Sequence, residues 1–301
     1  MKRSIYALFL VMLLFLGSIS FSIAHSTNTI IYVDDDGTAD YTSIQAAINA
    51  ATDGDTIFVY EGTYRETLFI DKSLHLIGEN KQKTMINQTD NSNAILISIE
   101  HPNVHLEGFT LIDNDQLWTE LATVISIASE NNIIENNIIR TNLYYAIKLQ
   151  PETKKNSIQH NFITGDYAAI NLDWSWNNHI YNNVFTGQGT GLNAQYSFSN
   201  MIQRNHFEND GIGVFLTECN DNNFSQNNFI TYGDEVYISP HLSFNTWNSN
   251  YWQDYQGKVP FYVVTQRYIP FTNIPLVFWF DIFRIDWNPV SVSYDIDGGI
   301  Q

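Results

Sequence analysis

The sequence predicts an all-β chain folded as a parallel β-helix, a solenoid in which each coil adds one short strand to each of several sheets. The first observation behind this prediction is a motif, Asn-x-Φ-x-x-Asn-x-Φ with Φ as Ile, Phe or Trp, repeated at a nearly constant interval. Its six copies begin at Asn132, Asn156, Asn178, Asn200, Asn222 and Asn245. A fixed period within the range of about 20–50 residues is typical of solenoids, whose units bury their apolar sides against their neighbours.

The second observation is a row of apolar pairs that runs in step with this motif. The two members of each pair lie two positions apart, which is the alternation of a strand and not the period of a helix. The pairs are Ile147 and Leu149, Ile170 and Leu172, Leu192 and Ala194, Val214 and Leu216, and Val236 and Ile238. Each repeat therefore contains at least two strands, and copies of one strand should stack in parallel about 4.8 Å apart.

The repeated asparagines are interpreted as structural corners. Asn tolerates left-handed backbone, and its amide can bond its own turn and the Asn of the next coil. Upstream the repeat continues with a longer spacing, at which Leu76 matches Leu106 and Gly78 matches Gly108. The longer coils should carry longer loops, such as residues 113–120. Residues 56–255 then form the β-helix, with roughly eight coils.

Residues 1–24 are predicted to be a signal peptide. Lys2 and Arg3 precede an apolar core over residues 5–16, and Ser22-Ile23-Ala24 fits a small-residue cleavage site before His25. The alternative is an uncleaved anchor. In both cases the folded part is expected outside the cytoplasm, secreted or at the cell surface.

Residues 25–55 should form an N-terminal cap, because a solenoid end exposes unpaired strand edges. Thr42-Ser43-Ile44-Gln45 has the pattern of a capping box and is followed by apolar residues at helical spacing. These are Ile44, Ala47, Ile48 and Ala51. Residues 256–301, which are aromatic and interrupted by Pro, are predicted to form an irregular C-terminal cap and also a possible docking surface for an envelope protein.

Charge narrows the range of partners. The chain has a net charge of −18, and without Lys2 and Arg3 it has 12 basic and 32 acidic residues, a net charge of −20. This argues against nucleic acid and anionic membranes, and it is compatible with polyols, cations or neutral glycans. No membrane span is expected beyond the signal segment. The single cysteine, Cys219, excludes an internal disulfide.

Several segments resemble a known family. Asp40-Tyr41-Thr42-Ser43-Ile44-Gln45-Ala46-Ala47-Ile48, Gly54-Asp55-Thr56-Ile57 and Asp71-Lys72-Ser73-Leu74 are similar to the opening of right-handed parallel β-helix proteins related to NosD. Asn250-Tyr251-Trp252-Gln253-Asp254-Tyr255 resembles the ending of archaeal members. The resemblance implies a pectin-lyase-like fold, a carbohydrate-binding and sugar hydrolase module, and an archaeal surface protein. It leaves function open, because the fold hosts binders, lyases, hydrolases and epimerases.

A glycan-binding groove is predicted on the outward side of the apolar-pair row. Its polar strip is Lys148, Asn171, Asp173, Asn193 and Gln195. The small residues Ala146, Ala169, Gly191 and Gly213 are expected to leave this groove open. Just after the strand, Trp174 and Trp176 recur one repeat later as Tyr196 and Phe198, which predicts two stacked aromatic pairs suited to sugar rings. The alternative is that one pair packs inside the turn as core.

If the protein is an enzyme, Asp173 and Glu218 are the best pair of carboxylates, in adjacent columns two coils apart. The polygalacturonase and mannuronan-epimerase signatures are absent from the sequence, and Asp173 alternatively forms a surface ion pair with Lys148. No cofactor is expected. His75 and His105 occupy matching positions in successive longer coils, should stack, and are the candidates for a metal site. The alternative is that they are ordinary surface residues, and the mature chain offers few soft ligands for copper.

The sequence thus predicts a non-catalytic glycan-binding or envelope component whose partner is a polysaccharide or cell-envelope glycan. Two alternatives remain at this point. One is a polysaccharide lyase, hydrolase or epimerase acting on acidic or neutral glycans. The other is a periplasmic protein of copper-site maturation, as the resemblance to NosD implies.

Overall fold

The structure, a computed structural model, is an all-β parallel β-helix, as predicted. It describes residues 28–88, 95–113, 122–142, 144–209, 211–231, 236–238, 244–253, 261–265, 282–286, 289–290 and 293–296. The predicted signal peptide, the loop after residue 113 and most of the predicted C-terminal cap lie outside these ranges. None of the described helices is both long and apolar enough to cross a membrane.

The strands form three sheets that run the length of the solenoid. Sheet 1 has twelve strands: β1 (Ile30–Val33), β2 (Thr56–Val59), β5 (His75–Gly78), β8 (His105–Glu107), β11 (Ile133–Glu135), β14 (Ser157–Gln159), β17 (His179–Tyr181), β20 (Met201–Gln203), β23 (Asn223–Ser225), β26 (Thr246–Asn248), β29 (Ile282–Asp286) and β28 (Phe261–Thr265). All of its pairings are parallel except that between β28 and β29.

Sheets 2 and 3 follow sheet 1 in each coil. Sheet 2 has nine strands: β3 (Gly62–Tyr64), β6 (Thr84–Asn87), β9 (Thr110–Asp113), β12 (Ile138–Thr141), β15 (Phe162–Gly165), β18 (Val184–Gly187), β21 (His206–Asn209), β24 (Asn228–Phe229) and β27 (Tyr251–Trp252). Sheet 3 has eight: β4 (Leu68–Ile70), β7 (Ile95–Ile99), β10 (Thr123–Ile127), β13 (Tyr145–Leu149), β16 (Ala168–Asp173), β19 (Thr190–Gln195), β22 (Val214–Thr217) and β25 (Val236–Ile238). The nine strands of sheet 2 correspond to nine coils in the described chain, one more than predicted.

The core consists of columns of apolar side chains, one residue per coil. In sheet 2 the rings of Phe185, Phe207, Phe229 and Trp252 stack with centroids 4.4 to 4.9 Å apart. Burying each such side chain contributes about 1.5–3 kcal/mol. The motif positions Φ therefore stabilise the stack, as the repeat predicted.

The motif asparagines form two ladders inside the corners. In each step, the Oδ1 atom of one Asn accepts a hydrogen bond from the backbone N–H of the Asn one coil earlier, as in the step from Asn183 to Asn205 at 3.1 Å. It usually accepts a second bond from the side-chain amide of that earlier Asn, at 3.0 Å in the same step, whereas the Asn156 amide donates to the Ser129 carbonyl instead. The predicted bonding is confirmed, but the left-handed residue is the one before the Asn. Asn182, for example, has a φ of 52°.

Helix α1 (Ile44–Ala50) packs against the start of the solenoid, and Ile44, Ala47, Ile48 and Ala51 are buried as predicted. The expected capping box is wrong in detail. The N-cap is Ser43, whose hydroxyl accepts from the Ala46 N–H, and the side chain of Gln45 bonds the backbone of Phe69. The backbone N–H groups of Ile44 and Gln45, which have no acceptor within the helix, donate to the carboxylate of Glu66 in the coil that follows.

Candidate functional site

The candidate groove lies at the turn that leaves sheet 3. One position of this turn is left-handed in four successive coils, with φ of 71°, 44°, 49° and 54°. Its occupants are Glu152, Trp174, Tyr196 and Glu218. Their backbone is held by bonds between coils, such as the Trp174 N–H to the Gln195 carbonyl at 3.0 Å. Residues other than Gly rarely adopt left-handed backbone, and those that do are concentrated at functional sites. The run of four such residues therefore marks this turn as a candidate site.

Both predicted aromatic pairs exist and both lie outside the core. The rings of Trp174 and Tyr196 are stacked with centroids 4.6 Å apart, and those of Trp176 and Phe198 with centroids 5.3 Å apart. Trp174 is 52% exposed and Tyr196 40% exposed. The interior position of this turn is filled by Ser175 and Ser197, which are fully buried. The alternative in which one aromatic pair packs inside is therefore wrong. We name these four rings the aromatic shelf.

The polar strip is only partly accessible. Lys148, Asn171 and Asn193 are register partners in β13, β16 and β19, as expected. However, Asn171 and Asn193 are buried, and the Asn193 amide donates to the Asn171 oxygen at 2.8 Å. The two amides thus bond each other, and Lys148, Asp173 and Gln195 are the members of the strip that are partly exposed.

Two further expectations about this strip are corrected. The small residues face the interior: Ala146 and Ala169 belong to the core, and a Cβ added at Gly191 would lie 2.5 Å from the Phe207 ring. At Gly191 a larger residue has no room, because the Phe207 ring of sheet 2 lies against it. The ammonium of Lys148 lies 5.3 Å from the centroid of the Tyr145 ring, and no ion pair joins it to Asp173 in the described chain.

The two candidate catalytic carboxylates stand where the repeat predicted. Asp173 is in register with Gln195, which is in register with Thr217, and Glu218 follows Thr217. Their backbones are therefore two strand spacings apart, about 10 Å. Both side chains are half-buried, and the coil that carries Gln195 and Tyr196 lies between them.

A second cluster lies on the outer face of sheet 1, where His75 of β5 and His105 of β8 are register partners. Their rings are stacked as predicted, 4.0 Å apart and within 5° of parallel. The Nε2 atom of His75 is 2.9 Å from a carboxylate oxygen of Glu107, and that of His105 is 2.7 Å from one of Glu135. Burial, followed by the neighbouring His105, lowers the pKa of His75, against an opposing effect of Glu107.

Sequence reasoning missed Glu107 and Glu135. Both occupy the outward position two residues after the column that contains His75 and His105, so strand alternation alone would have identified them. They also line a polar cavity of about 490 Å³. Its other lining residues are Asn136, His160, Asn182, Arg204, Asp295 and Ile296.

Comparisons with known proteins agree with this architecture. The profile of the family described as "Periplasmic copper-binding protein (NosD)" matches residues 27–257. A "Cell surface glycoprotein" of Methanothermus fervidus is 33% identical over 108 residues, which cover 35% of this chain and 17% of that protein. The aligned segment is thus a small part of that relative.

Solved structures of low identity share the fold. A pectin methylesterase from Aspergillus niger aligns with a TM-score of 0.50 at 15% identity, over 76% of this chain and 87% of that one. A pectin methylesterase solved with a hexasaccharide gives a TM-score of 0.48 at 12% identity, over 73% of this chain and 90% of the other. At this identity the similarity concerns the fold alone.

Proposed function

The chain belongs to the NosD family, and we propose that it is a β-helix protein displayed at the cell surface that binds a neutral glycan without altering it. Surface location is supported by the similarity to a cell surface glycoprotein of M. fervidus and by the periplasmic location that the name of the family states. The apolar segment at residues 5–16, preceded by Lys2 and Arg3, agrees with export.

The aromatic shelf carries the proposal for glycan binding. Exposed Trp and Tyr rings that are held in place present apolar faces to water, and one face of a pyranose is apolar enough to pack on them. Here the positions of the rings are fixed by left-handed backbone at Trp174 and Tyr196 and by stacking between coils. The shelf therefore needs little ordering when a ligand binds, which favours affinity.

The ends of the shelf carry hydrogen-bonding groups. Since Trp174 and Tyr196 cover one face of each other, the second face of Trp174 is turned toward the coil of Glu152, and that of Tyr196 toward the coil of Glu218. The parallel column reads Lys154, Trp176, Phe198 and Asn220. A sugar packed on a free ring face therefore has charged or amide groups beside its hydroxyls.

The charge around the shelf favours a neutral glycan. Glu152, Asp173 and Glu218 place carboxylates beside it, and the whole chain is strongly acidic. Carboxylates accept hydrogen bonds from sugar hydroxyls but repel the carboxylates of uronic acids. Polyuronates are consequently poor ligands for this shelf, although pectin methylesterases share the fold.

Affinity electrophoresis of the purified full chain tests the proposal, with gels containing mannan, galactan, β-glucan or, for comparison, polygalacturonate. We expect retardation in at least one neutral gel, abolished by Trp174→Ala and by Trp174→Asn. The Asn variant is included because Asn tolerates the φ of 44° at this position.

Phe69→Ala is the matched control, because Phe69 is also 52% exposed but lies on β4, the end strand of sheet 3, four strands away from β16. It should retain full retardation. Retardation by polygalacturonate alone, or binding that survives in both folded Trp174 variants, would contradict the proposal. Circular dichroism establishes that each variant is folded.

A further inference from the structure

The cluster on sheet 1 has the composition of a metal site, and it is separate from the aromatic shelf. His75 and His105 bring two imidazoles together on adjacent strands, and Glu107 and Glu135 bring two carboxylates together one position further along the same face. One ligand atom from each of His75, His105 and Glu107 lies within 4.8 Å of the other two. These positions are set by the register of the sheet, which the rest of the stack holds.

Side-chain rotations within the cluster would bring its ligand atoms, now within 4.8 Å of one another, to the distances that an ion requires. Bonds from Zn²⁺ to imidazole nitrogen or carboxylate oxygen are about 2.0–2.2 Å long, so tetrahedral ligand atoms stand about 3.3–3.6 Å apart. A side-chain rotation at Glu107 would move its oxygen from the Nε2 atom of His75, now at 2.9 Å, to a shared ion. The two imidazole rings, now within 5° of parallel, would also have to tilt out of their stack so that both Nε2 lone pairs point at the ion.

Charge also favours a cation over the present pairing. A carboxylate only accepts hydrogen bonds, so the Nε2 atom of each ring donates to its Glu partner, and an ion bound at Nε2 would take the place of that proton. The carboxylates of Glu107 and Glu135 place two negative charges beside the rings, on a cavity that Arg204 also lines. A divalent ion would neutralise them.

We propose that His75, His105 and Glu107, with Glu135 as a fourth ligand or as a partner of His105, bind one divalent transition-metal ion of the Cu²⁺ or Zn²⁺ class. Imidazole and carboxylate suit these borderline ions, whereas Cu⁺ prefers thiolate and thioether. The family description names copper, and this donor set fits the divalent form of copper. Because Glu107 and Glu135 also line the cavity beside the cluster, solvent reaches the ion from that side.

The test is calorimetric titration of chelator-washed full-length protein with Cu²⁺ and with Zn²⁺, followed by electron paramagnetic resonance of the Cu²⁺ complex. We expect one ion per chain, tighter binding of Cu²⁺ than of Zn²⁺, and hyperfine splitting from two nitrogens. His105→Ala and His75→Asn should each weaken binding by more than about 10-fold, and Glu107→Gln should do so without removing a nitrogen from the spectrum.

His179→Ala is the matched control. His179 lies in the same outward column of sheet 1 and is also half-buried, but its ring nitrogen bonds Gln203 and no carboxylate. The His179→Ala protein should bind both ions with the affinity of the unaltered protein. The proposal is overturned if the dissociation constant exceeds about 100 μM, roughly 5.5 kcal/mol of binding free energy. It is also overturned if folded His75→Asn and Glu107→Gln proteins bind normally, or if His179→Ala loses as much affinity as His105→Ala.

Discussion

The carboxylate of Asp286 occupies the place of the next asparagine after Asn250. Its Oδ2 atom accepts the backbone N–H of Asn250 at 3.0 Å and the Asn250 amide at 2.9 Å, the same two bonds that Asn250 accepts from Asn227. It also accepts the indole N–H of Trp252, and its Oδ1 atom accepts the N–H of Ser249. Asp286 thus ends one Asn ladder with a group that only accepts, so no amide is left without a partner there.

This relationship predicts that the ladder depends on Asp286. Asp286→Ala would leave the buried donors of Asn250 and Trp252 without acceptors, and each such loss costs about 1–3 kcal/mol. We therefore expect Asp286→Ala to lower the free energy of unfolding by about 3 kcal/mol or more in urea titrations. Asp286→Asn retains one acceptor oxygen and should cost less. Equal stability of the unaltered and Ala proteins would contradict a capping role.

A second prediction concerns the middle of the same ladder. The Asn183 amide donates to the Ile158 carbonyl at 2.8 Å, and its oxygen accepts from Asn161 at 3.0 and 3.1 Å. Asn183→Ala should reduce stability by about 1–3 kcal/mol, measured as a lower melting temperature.

The contrasting variant is Asn177→Gly, at an exposed position of the same coil with a φ of 55°. Gly accepts this conformation, so stability should change little. If Asn183→Ala kept its melting temperature but lost a ligand, Asn183 would be a binding residue instead of a corner.

The prediction for Asn183 rests on features that sequence reveals well, whereas the role of Asp286 could not be read from the repeat. In a solenoid, the residue that contacts a given residue in the next coil lies one repeat further along the sequence. The repeat length, the strand alternation and the Asn spacing are therefore enough to predict contacts between coils. Ile147 and Ile170 could therefore be paired by counting. The same rule predicted the stacks of Trp174 on Tyr196 and of His75 on His105.

Contacts that do not follow the period were missed. The bond from Glu66 to the first turn of α1 joins segments outside the repeat, so no spacing points to it. The burial of Asn171 depends on what covers sheet 3, which the alternation within one strand does not specify. The interior direction of Ala169 and Gly191 results from a corner, where the alternation of the strand is interrupted.

A third prediction follows from Asp55, which ties the N-terminal segment to the first coil. Burial acts to raise its pKa, but hydrogen bonds from Thr29 and Thr52 outweigh burial and lower the pKa from 3.8 to about 2. A lowered pKa in the folded state stabilises the protein fully above the ordinary value, and this stabilisation is lost as the pH falls from about 4 to 2. Its size is about 2 kcal/mol.

Urea titrations at several pH values measure this effect. Asp55→Asn should be less stable at neutral pH and should show a flatter decline in stability between pH 4 and 2. Thr52→Val removes one donor, the hydroxyl 2.9 Å from Asp55, and should flatten the decline only partly. An unchanged pH profile in Asp55→Asn would show that other carboxylates control acid stability.

The last prediction is that the protein does not cleave glycans. A retaining glycosidase needs its two carboxyl groups about 5–5.5 Å apart, and an inverting enzyme needs about 6.5–9.5 Å with space for a water molecule between them. The strands of Asp173 and Glu218 are about 10 Å apart, near the upper end of the inverting range, but the coil of Gln195 and Tyr196 occupies the space between them where the water would have to lie. Sugar bound there would pack on the Tyr196 ring rather than lie between two carboxyl groups.

We therefore expect no release of reducing ends and no unsaturated products from pectic, alginate or mannan substrates, measured by reducing-sugar assay and ultraviolet absorbance. Asp173→Asn provides the decisive comparison, and Asp166→Asn, an exposed carboxylate of the turn that precedes the same strand, is its control. Turnover that persists in Asp166→Asn and disappears in folded Asp173→Asn would establish an enzyme, because replacing a carboxylate by its isosteric amide removes its acid–base chemistry and leaves the fold in place.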